Sequence, residues 1–480
     1  MREKLCWIFL INVYNFVKEG KDMERMYLKE LVKTLDVEAN REVQSEEFID
    51  NICTDTRKDV YGSLFVALKG QNFDGHDFVK AAIEKGAKAV LVDSNFKEDV
   101  GNILVLKTKD MAKTLMQIAS YYRNMLKITV VGVTGSVGKT STKDMIACVL
   151  SERYKVIKTP ENLNNEIGVF STMLSAGYKD EIAVIEMGMC NLGEIELLSC
   201  GVEPDIAVIT RIGVTHIESL KTRENIFKAK MEITKGLKPN GLLVLNADDE
   251  CLKNVKSAEF KVMFYGIRNE YADVWGSEIE FNKLAGTEFY INTKLAKTKA
   301  FLPALGEHNV SNALAAYCVG KELKMTDEQI INGFKNYVSS GARQKLVKKD
   351  GITYILDYYN ANPDSVKAAV QTLCATTKDC NKIFVFADMN ELGSISDSAH
   401  KEIGEFMAKM NVDFLLCVGN KSKLTVQAAQ KVGINTAMCF DTKADLIKKL
   451  KEVAQPGSVV WIKGSRNMKL EEVADEVILK

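Results

Sequence analysis

Short β-branched runs alternate with helical stretches along nearly the whole chain, and this alternation restricts the fold more than any other feature. The clearest runs are Ile128–Val133, Ala183–Glu186, Ile206–Thr210, Leu242–Leu245, Ile383–Phe386 and Val459–Ile462. Such an order predicts α/β domains, with parallel sheets covered by helices on both faces. Ligands of these folds gather in the loops at the carboxyl ends of the strands. The unusual residues of this chain lie in those loops. One stretch differs: Tyr271–Leu302 has a period closer to two than to the helical repeat, which predicts a small antiparallel side sheet.

A chain of 480 residues exceeds what one hydrophobic core organises, so three domains are expected. The expected blocks are 26–127, closed by a helix over Met111–Met125, then 128–339, then 340–480, with residues 1–25 as an extension. In that extension Trp7–Val17 is apolar, but it is too short to span a bilayer, contains Asn12 and Asn15, and is followed by no small-residue cleavage site. No integral membrane segment is expected. Met23 opens a more ordinary start, in which Leu28, Leu31, Val32 and Leu35 share a helical face. The 64 Lys and Arg balance 64 Asp and Glu, leaving no net field that would favour nucleic acid or an anionic membrane. Eleven cysteines without a CxxC pair suit reduced thiols of a cytoplasmic protein, serving as small core residues.

The strongest local signal is KITVVGVTGSVGKTST, Lys127–Thr142: an apolar strand, a glycine-rich turn, and a helix continuing through Met145, Ile146 and Val149. Gly135, Ser136, Val137 and Gly138 let backbone amides converge on a polyphosphate at a helix N-terminus. Lys139 then reaches the β and γ oxygens, the Thr140 hydroxyl suits Mg²⁺, and Ser141 completes the turn. This predicts an ATP site. A strict phosphate-loop pattern has glycine where this chain has Val133. By itself the loop specifies a nucleotide and not a reaction.

Three further residues follow strands of the same block: Glu186 ends AVIE, His216 follows ITRIGVT, and Lys230 lies on the next helix. Taken singly they read as a helix cap, a satisfied loop histidine and a solvated lysine. Following this loop in this order, a carboxylate and an imidazole near Thr140 could hold a second Mg²⁺, helping one anion approach another.

The stretches TPENLNNEIG (159–168), IEMGMCNLGEIELLS (185–199), NADD (246–249), LPALGEHNVSNALAA (302–316), DYYNANPDSVKAA (357–369), ADMNELG (387–393) and KGSRNMKLEEV (463–473) resemble the motif series of the Mur ligase family, and TDTR with GSLFVALKGQNFDGHDF (54–78) resembles its UDP-sugar module. The tight TGSVGKT turn is also the form that family uses, so Val133 narrows the resemblance. It covers the chain from about Met26 onward. It implies a UDP-substrate domain, a central ATPase domain and a C-terminal Rossmann-like domain. The implied activity is ATP-dependent ligation of D-alanyl-D-alanine to UDP-N-acetylmuramoyl-tripeptide through an acyl phosphate, for peptidoglycan synthesis. ATP and Mg²⁺ are the implied cofactors. Two small-molecule substrates are the implied partners, and a cleft enclosed by one chain leads to the expectation of a monomer. The alternatives are another amino-acid ligase of the same family, or a P-loop protein that binds without catalysis.

Carried onto matching positions, the resemblance assigns Lys139 and Thr140 to phosphate and Mg²⁺, Glu186 and His216 to the second Mg²⁺ region, and Lys230 to that region as a carbamate. Asn309 and Asn312 fall on the adenine side, with Arg343 and Asp357 closing over phosphate and ribose. Thr159, Asn164 and Asn165 resemble muramoyl-substrate contacts, as Asp55, Thr56, Arg57, Lys69 and Gly70 resemble those of the UDP end. Asn360 and Asn362 are further substrate candidates. The chain departs from the common pattern at Tyr61, at Pro160–Asn162 and at Ala342, which affects substrate contacts and Arg343 more than the phosphate chemistry.

Overall fold

The computed structural model describes residues 23–70, 73–377 and 380–479. The expected alternation is realised as three α/β domains. The first contains β1 (Met26–Tyr27), β2 (Glu38–Ala39), β3 (Phe48–Ile49), β4 (Asn51–Cys53), β5 (Ser63–Val66), β6 (Ala89–Asp93) and β7 (Leu104–Thr108). β1 and β3 pair antiparallel, and the other five form a sheet in the order β2-β7-β6-β5-β4, parallel apart from β2. The helix Leu28–Thr34 forms where the apolar spacing places it, burying Leu28 and Leu31, with Leu35 buried just beyond. The run Trp7–Val17 lies outside the described residues.

The central domain is built on nine strands: β8 (Thr129–Thr134), β9 (Val156–Lys158), β10 (Ile182–Glu186), β11 (Ile206–Ile209), β12 (Leu242–Asn246), β13 (Lys261–Ile267), β14 (Val274–Phe281), β15 (Thr287–Thr293) and β16 (Lys297–Leu302). Their order is β16-β15-β14-β13-β12-β11-β8-β10-β9. The chain leaves β8 toward β9 and β10 on one side, then crosses to β11 on the other. A crevice therefore opens at the carboxyl end of β8, where such folds bind ligands. The strands expected to be antiparallel are β14, β15 and β16, and they continue the main sheet through a parallel pairing of β13 with β14. Extending the sheet in this way covers the polar edge of β13.

The third domain carries β17 (Lys345–Lys349), β18 (Ile352–Asp357), β19 (Lys382–Ala387), β20 (Phe414–Val418), β21 (Ala437–Phe440) and β22 (Val459–Lys463), ordered β17-β18-β22-β19-β20-β21 and parallel except for β17. Side chains alternate across a strand. Phe384, Phe386 and Trp461 therefore enter one core layer, and Ile383, Val385 and Ile462 the other.

One of the apolar clusters spans the first and central domains. The helix Met111–Leu126 contributes Leu115, Met116, Ile118, Ala119 and Tyr122 to a cluster that includes Val169, Phe170, Ile195 and Leu198 of the central domain. Each large apolar side chain buried there contributes about 1.5–3 kcal/mol. Polar locks reinforce the joint: Tyr122 Oη donates to the Ala176 carbonyl at 2.7 Å, and Arg123 pairs with Asp205 at 2.8 Å. Among the described cysteines Cys53, Cys318 and Cys417 are buried, whereas Cys190 and Cys200 are exposed, so the expected core role holds for only part of them. No helix among the described residues is long and apolar enough to cross a membrane.

Candidate active site

β8 runs straight into the turn Gly135–Gly138, and the helix Lys139–Leu150 begins at its end. Gly135 has φ +147°, and a Cβ there would stand 2.0 Å from Thr210 Oγ1. Gly138, at φ +86°, caps the helix without a side-chain acceptor, so the first amides keep their donors for an anion. Thr210 Oγ1 donates to the Val137 carbonyl at 2.6 Å and fixes the turn from the neighbouring strand end. Ser136 Oγ is buried without a hydrogen-bond partner, and Ser141 is hydrogen-bonded to the Tyr337 phenol. Lys139 Nζ folds back onto the Gly135 carbonyl at 2.9 Å. Burial draws its pKa below the ordinary lysine value; Glu186 opposes that shift and Arg343 adds to it.

Glu186 ends β10 and is buried. Its backbone N–H donates to Thr159 Oγ1 at 2.9 Å, and its Oε1 accepts from Asn164 Nδ2 at 2.7 Å. Oε2 has no hydrogen bond; Lys143 Nζ lies 3.8 Å away. Lys230, in the last turn of the helix Arg223–Met231, is fully buried and its Nζ has no partner. Burial, followed by the charge of Lys139, holds it well below the ordinary lysine pKa. His216 adopts φ +64°, in the left-handed region. Burial, then Lys230 and Lys139, push its pKa down to about 3. Lys139, Glu186 and His216, which end or follow adjacent strands, thus lie within electrostatic reach of one another or of Lys230 on the helix Arg223–Met231. No group of three or more His, Cys, Asp or Glu converges among the described residues. A cation held at this point would draw on Glu186, His216 and Thr140, with Lys230 as a donor only once it became an anion.

The third domain reaches this crevice. Arg343 Nη2 lies 3.4 Å from Thr140 Oγ1, and its guanidinium stacks 3.7 Å over the Tyr359 ring. Asn312 accepts from Thr142 Oγ1 at 3.0 Å and donates to Asn309 Oδ1 at 3.3 Å, while Asn309 donates to Gln344 Oε1 at 3.0 Å. The asparagine pair therefore connects the phosphate-loop helix to the segment carrying Arg343. Asp357 is engaged within its own domain, accepting from Lys463 Nζ at 2.8 Å and Trp461 Nε1 at 3.3 Å. Lys463 also donates to the Asn360 carbonyl. Asn362 caps the helix Pro363–Thr376 and donates to Thr215 Oγ1 at 3.4 Å. Asn165 likewise serves as a cap, accepting from the Gly168 N–H.

The residues expected at the UDP end occupy loops after β4 and β5. Arg57 pairs with Asp55 at 2.8 Å, the Thr56 carbonyl accepts from Lys85 at 2.6 Å, Lys69 faces Asp74 at 3.6 Å, and the Gly70 N–H donates to the Phe73 carbonyl. Sequence reasoning missed three site residues. Lys143 is one helical turn beyond Lys139, a spacing that puts both on one face. Glu391, at φ +63°, comes from the third domain to within 3.5 Å of His216, and Gln344 bridges His308 and Asn309. Nothing in local sequence places Glu391 there.

A phosphate loop at a sheet switch point, with a buried acid and a partly buried imidazole after adjacent strands, a buried lysine on the next helix and an arginine from a third α/β domain, defines an ATP-dependent peptide ligase. Three family profiles match the chain: Mur ligase family, catalytic domain, over residues 48–127; Mur ligase middle domain over 133–320; and Mur ligase, glutamate ligase domain, over 342–466. The chain belongs to the Mur ligase family, in its MurF group. It is 40% identical over 434 residues to UDP-N-acetylmuramoyl-tripeptide--D-alanyl-D-alanine ligase of Bacillus subtilis (strain 168), covering 90% of this chain and 93% of that one. The crystal structure of MurF from Acinetobacter baumannii superposes with a TM-score of 0.86 at 29% identity, over 95% of this chain and all of that one. MurF ligase from Thermotoga maritima in complex with ADP gives 0.79 at 28% identity, over 88% and 96%.

Proposed function

We propose that this protein joins D-alanyl-D-alanine to UDP-N-acetylmuramoyl-tripeptide with consumption of ATP, forming the UDP-muramoyl-pentapeptide used in peptidoglycan synthesis. The observation that carries the reading is the convergence of Lys139, Glu186, His216 and Lys230 beside a phosphate loop that Arg343 of another domain overhangs. A protein that only bound nucleotide would have no use for the last three of that set.

A carboxylate cannot be aminated directly, because hydroxide is a poor leaving group. The tripeptide carboxylate therefore attacks the γ-phosphate in line, giving an acyl phosphate and ADP. The amine of the dipeptide then attacks the activated carbonyl, and phosphate leaves from a tetrahedral intermediate. The Gly135–Thr140 amides and Lys139 hold the β and γ phosphates, so Lys139 exchanges its bond to the Gly135 carbonyl for phosphate oxygens. Asn309 and Asn312 serve the adenine side, and Arg343 with Asp357 completes the nucleotide enclosure when the third domain closes. Thr159, Asn164 and Asn165 are assigned to the muramoyl end, Asp55, Thr56, Arg57, Lys69 and Gly70 to the UDP end, and Asn360 and Asn362 to further substrate contacts from the third domain.

Thr140, Glu186, His216 and Lys230 as a carbamate would hold Mg²⁺. The fit rests on two buried atoms without hydrogen bonds, Glu186 Oε2 and Lys230 Nζ, which such a cation and a carbamate would satisfy. When bound, Mg²⁺ screens the repulsion between carboxylate and phosphate. The three domains correspond to 26–127, 128–339 and 340–480, and the enzyme works in the cytoplasm as a monomer.

Purified protein incubated with ATP and UDP-muramoyl-tripeptide is expected to release phosphate and form pentapeptide only when D-alanyl-D-alanine is present. Phosphate release indifferent to the dipeptide, or supported instead by a single amino acid, would assign the chain to another ligase of the family.

A further inference from the structure

Lys143 lies on the phosphate-loop helix one turn beyond Lys139, and none of the roles above uses it. Its side chain is fully buried, an uncommon state for lysine. Nζ donates to the Thr159 carbonyl at 2.7 Å and to the Glu161 carbonyl at 2.8 Å. It also stands 3.8 Å from Glu186 Oε2, the oxygen that no hydrogen-bond donor reaches, and 3.5 Å from Asp144 Oδ1.

The segment held by Lys143 is also bound to Glu186, through its backbone and through its carboxylate. Thr159 Oγ1 accepts from the Glu186 N–H, and Asn164 Nδ2 donates to Glu186 Oε1. Between them Glu161 sits at φ +43°, in the left-handed region. That conformation costs a non-glycine residue about 1–2 kcal/mol and persists where surrounding contacts hold it. The bond from Lys143 to the Glu161 carbonyl is such a contact.

We propose that Lys143 is a positioning residue for the acid substrate. It ties the 159–164 segment and the Glu186 carboxylate to the helix that carries the phosphate loop, so that the tripeptide carboxylate is presented in register with a triphosphate held by the same helix. Lys143 touches neither substrate. The inference rests on the reading of 159–164 as a muramoyl-substrate segment.

The test compares Lys143→Met and Lys143→Arg with the unaltered enzyme, measuring KM for UDP-muramoyl-tripeptide, kcat, ADP affinity by calorimetry, and melting temperature. Lys143→Met is expected to raise the UDP-substrate KM about tenfold or more while ADP affinity stays within about twofold, because charge-assisted bonds to one segment are lost and the phosphate loop is kept. Lys143→Arg keeps the charge and moves the same constant in the same direction by less. Loss of ADP affinity in proportion to the UDP-substrate effect, or no change in either, overturns the proposal. If Lys143→Met does not fold, Lys143→Arg is judged by the same criterion. An unaltered enzyme that shows no dipeptide-dependent phosphate release overturns the functional reading itself. An active enzyme with unchanged Lys143 variants overturns this inference alone.

Discussion

Arg343 and Thr140 are 203 positions apart in the chain, yet the guanidinium Nη2 of one lies 3.4 Å from the hydroxyl of the other. The contact joins the third domain to the start of the helix that follows the glycine turn. Other joints across this boundary are polar, Ser340 Oγ to Asp144 Oδ2 at 2.5 Å, Asn362 to Thr215 at 3.4 Å and Glu391 to His216 at 3.5 Å, and they lie beside an apolar contact in which Leu305 of the central domain enters the third domain's core with Val214 and Leu284 packed against it. The first and central domains, in contrast, share a continuous apolar core. Interdomain surfaces with polar joints separate at lower cost than large shared cores, so displacing the third domain is expected to meet less resistance than displacing the first.

If Arg343 meets charge on the transferred phosphoryl group as proposed, it does so with a planar guanidinium that lies beside Thr140 and is also stacked on Tyr359. A lysine cannot reproduce both contacts. Arg343→Lys and Arg343→Ala are therefore expected to lower kcat by about 10²–10³, the usual effect of losing one donor to a developing charge. ADP affinity should fall far less, because the loop amides and Lys139 remain. Steady-state phosphate release and ADP calorimetry measure the two separately, and equal losses in both would count against a role in the reacting state.

Asp144 is tied to the segment that carries Arg343. Its carboxylate accepts from Lys158 Nζ at 2.7 Å and from Ser340 Oγ, and Arg343 Nη1 lies 3.4 Å from the Ser340 carbonyl. Burial works against the ionised carboxylate, but Lys143, Lys158 and Ser340 together hold its pKa below the ordinary range. Asp144→Ala leaves the buried Lys143 ammonium short of a counter-charge and frees Ser340. A destabilisation of about 3 kcal/mol is expected. Urea unfolding should show it, along with a kcat reduced in the same direction as in the Arg343 variants.

Much of this site could be read from the chain alone, for identifiable reasons. The phosphate loop is local: strand, glycine turn and helix follow within one stretch, and each residue type has a backbone reason to be there. Glu186 and His216 could be found because parallel strands place successive loop residues at one sheet edge. The third domain's contributions were less legible. Ala342 obscures the arginine segment, and Glu391 approaches His216 through a domain contact that no periodicity encodes. Lys143 carries a signal in its spacing from Lys139, but a lysine on a helix reads as solvated until its burial is known. Asn165 and Asn362 carry helix caps, a role their position before helical runs equally predicts.

Lys230 is a buried amine with no hydrogen-bond partner, and burial, followed by the charge of Lys139, lowers its pKa from the ordinary lysine value, which favours the neutral form. A neutral amine reacts with CO₂, and the resulting carbamate would place an anion beside His216 and Glu186. Incubation with ¹³C-bicarbonate is expected to give a protein-bound carbamate resonance that Lys230→Ala lacks. Removing dissolved CO₂ should lower activity, and bicarbonate should restore it. A silent spectrum from the unaltered enzyme would exclude the modification.

His216 gives a prediction of opposite character, on stability against pH in the protein without ligands. Burial first, then Lys230 and Lys139, lower its pKa from 6.5 to about 3, so the folded protein keeps the imidazole neutral where the unfolded chain protonates it. Between those values the unfolded state binds more protons, and stability rises with pH by at most about 1.4 kcal/mol per unit for each such group. Acidification from pH 7 toward pH 4 should therefore destabilise the fold. His308, lowered to about 4 by burial, adds to the same slope. His216→Asn removes one titrating group, so its unfolding free energy should decline less steeply over that range than that of the unaltered protein. Parallel curves for the two proteins would mean that the folded state protonates His216 as readily as the unfolded chain does, and that Lys139 and Lys230 do not bear on it.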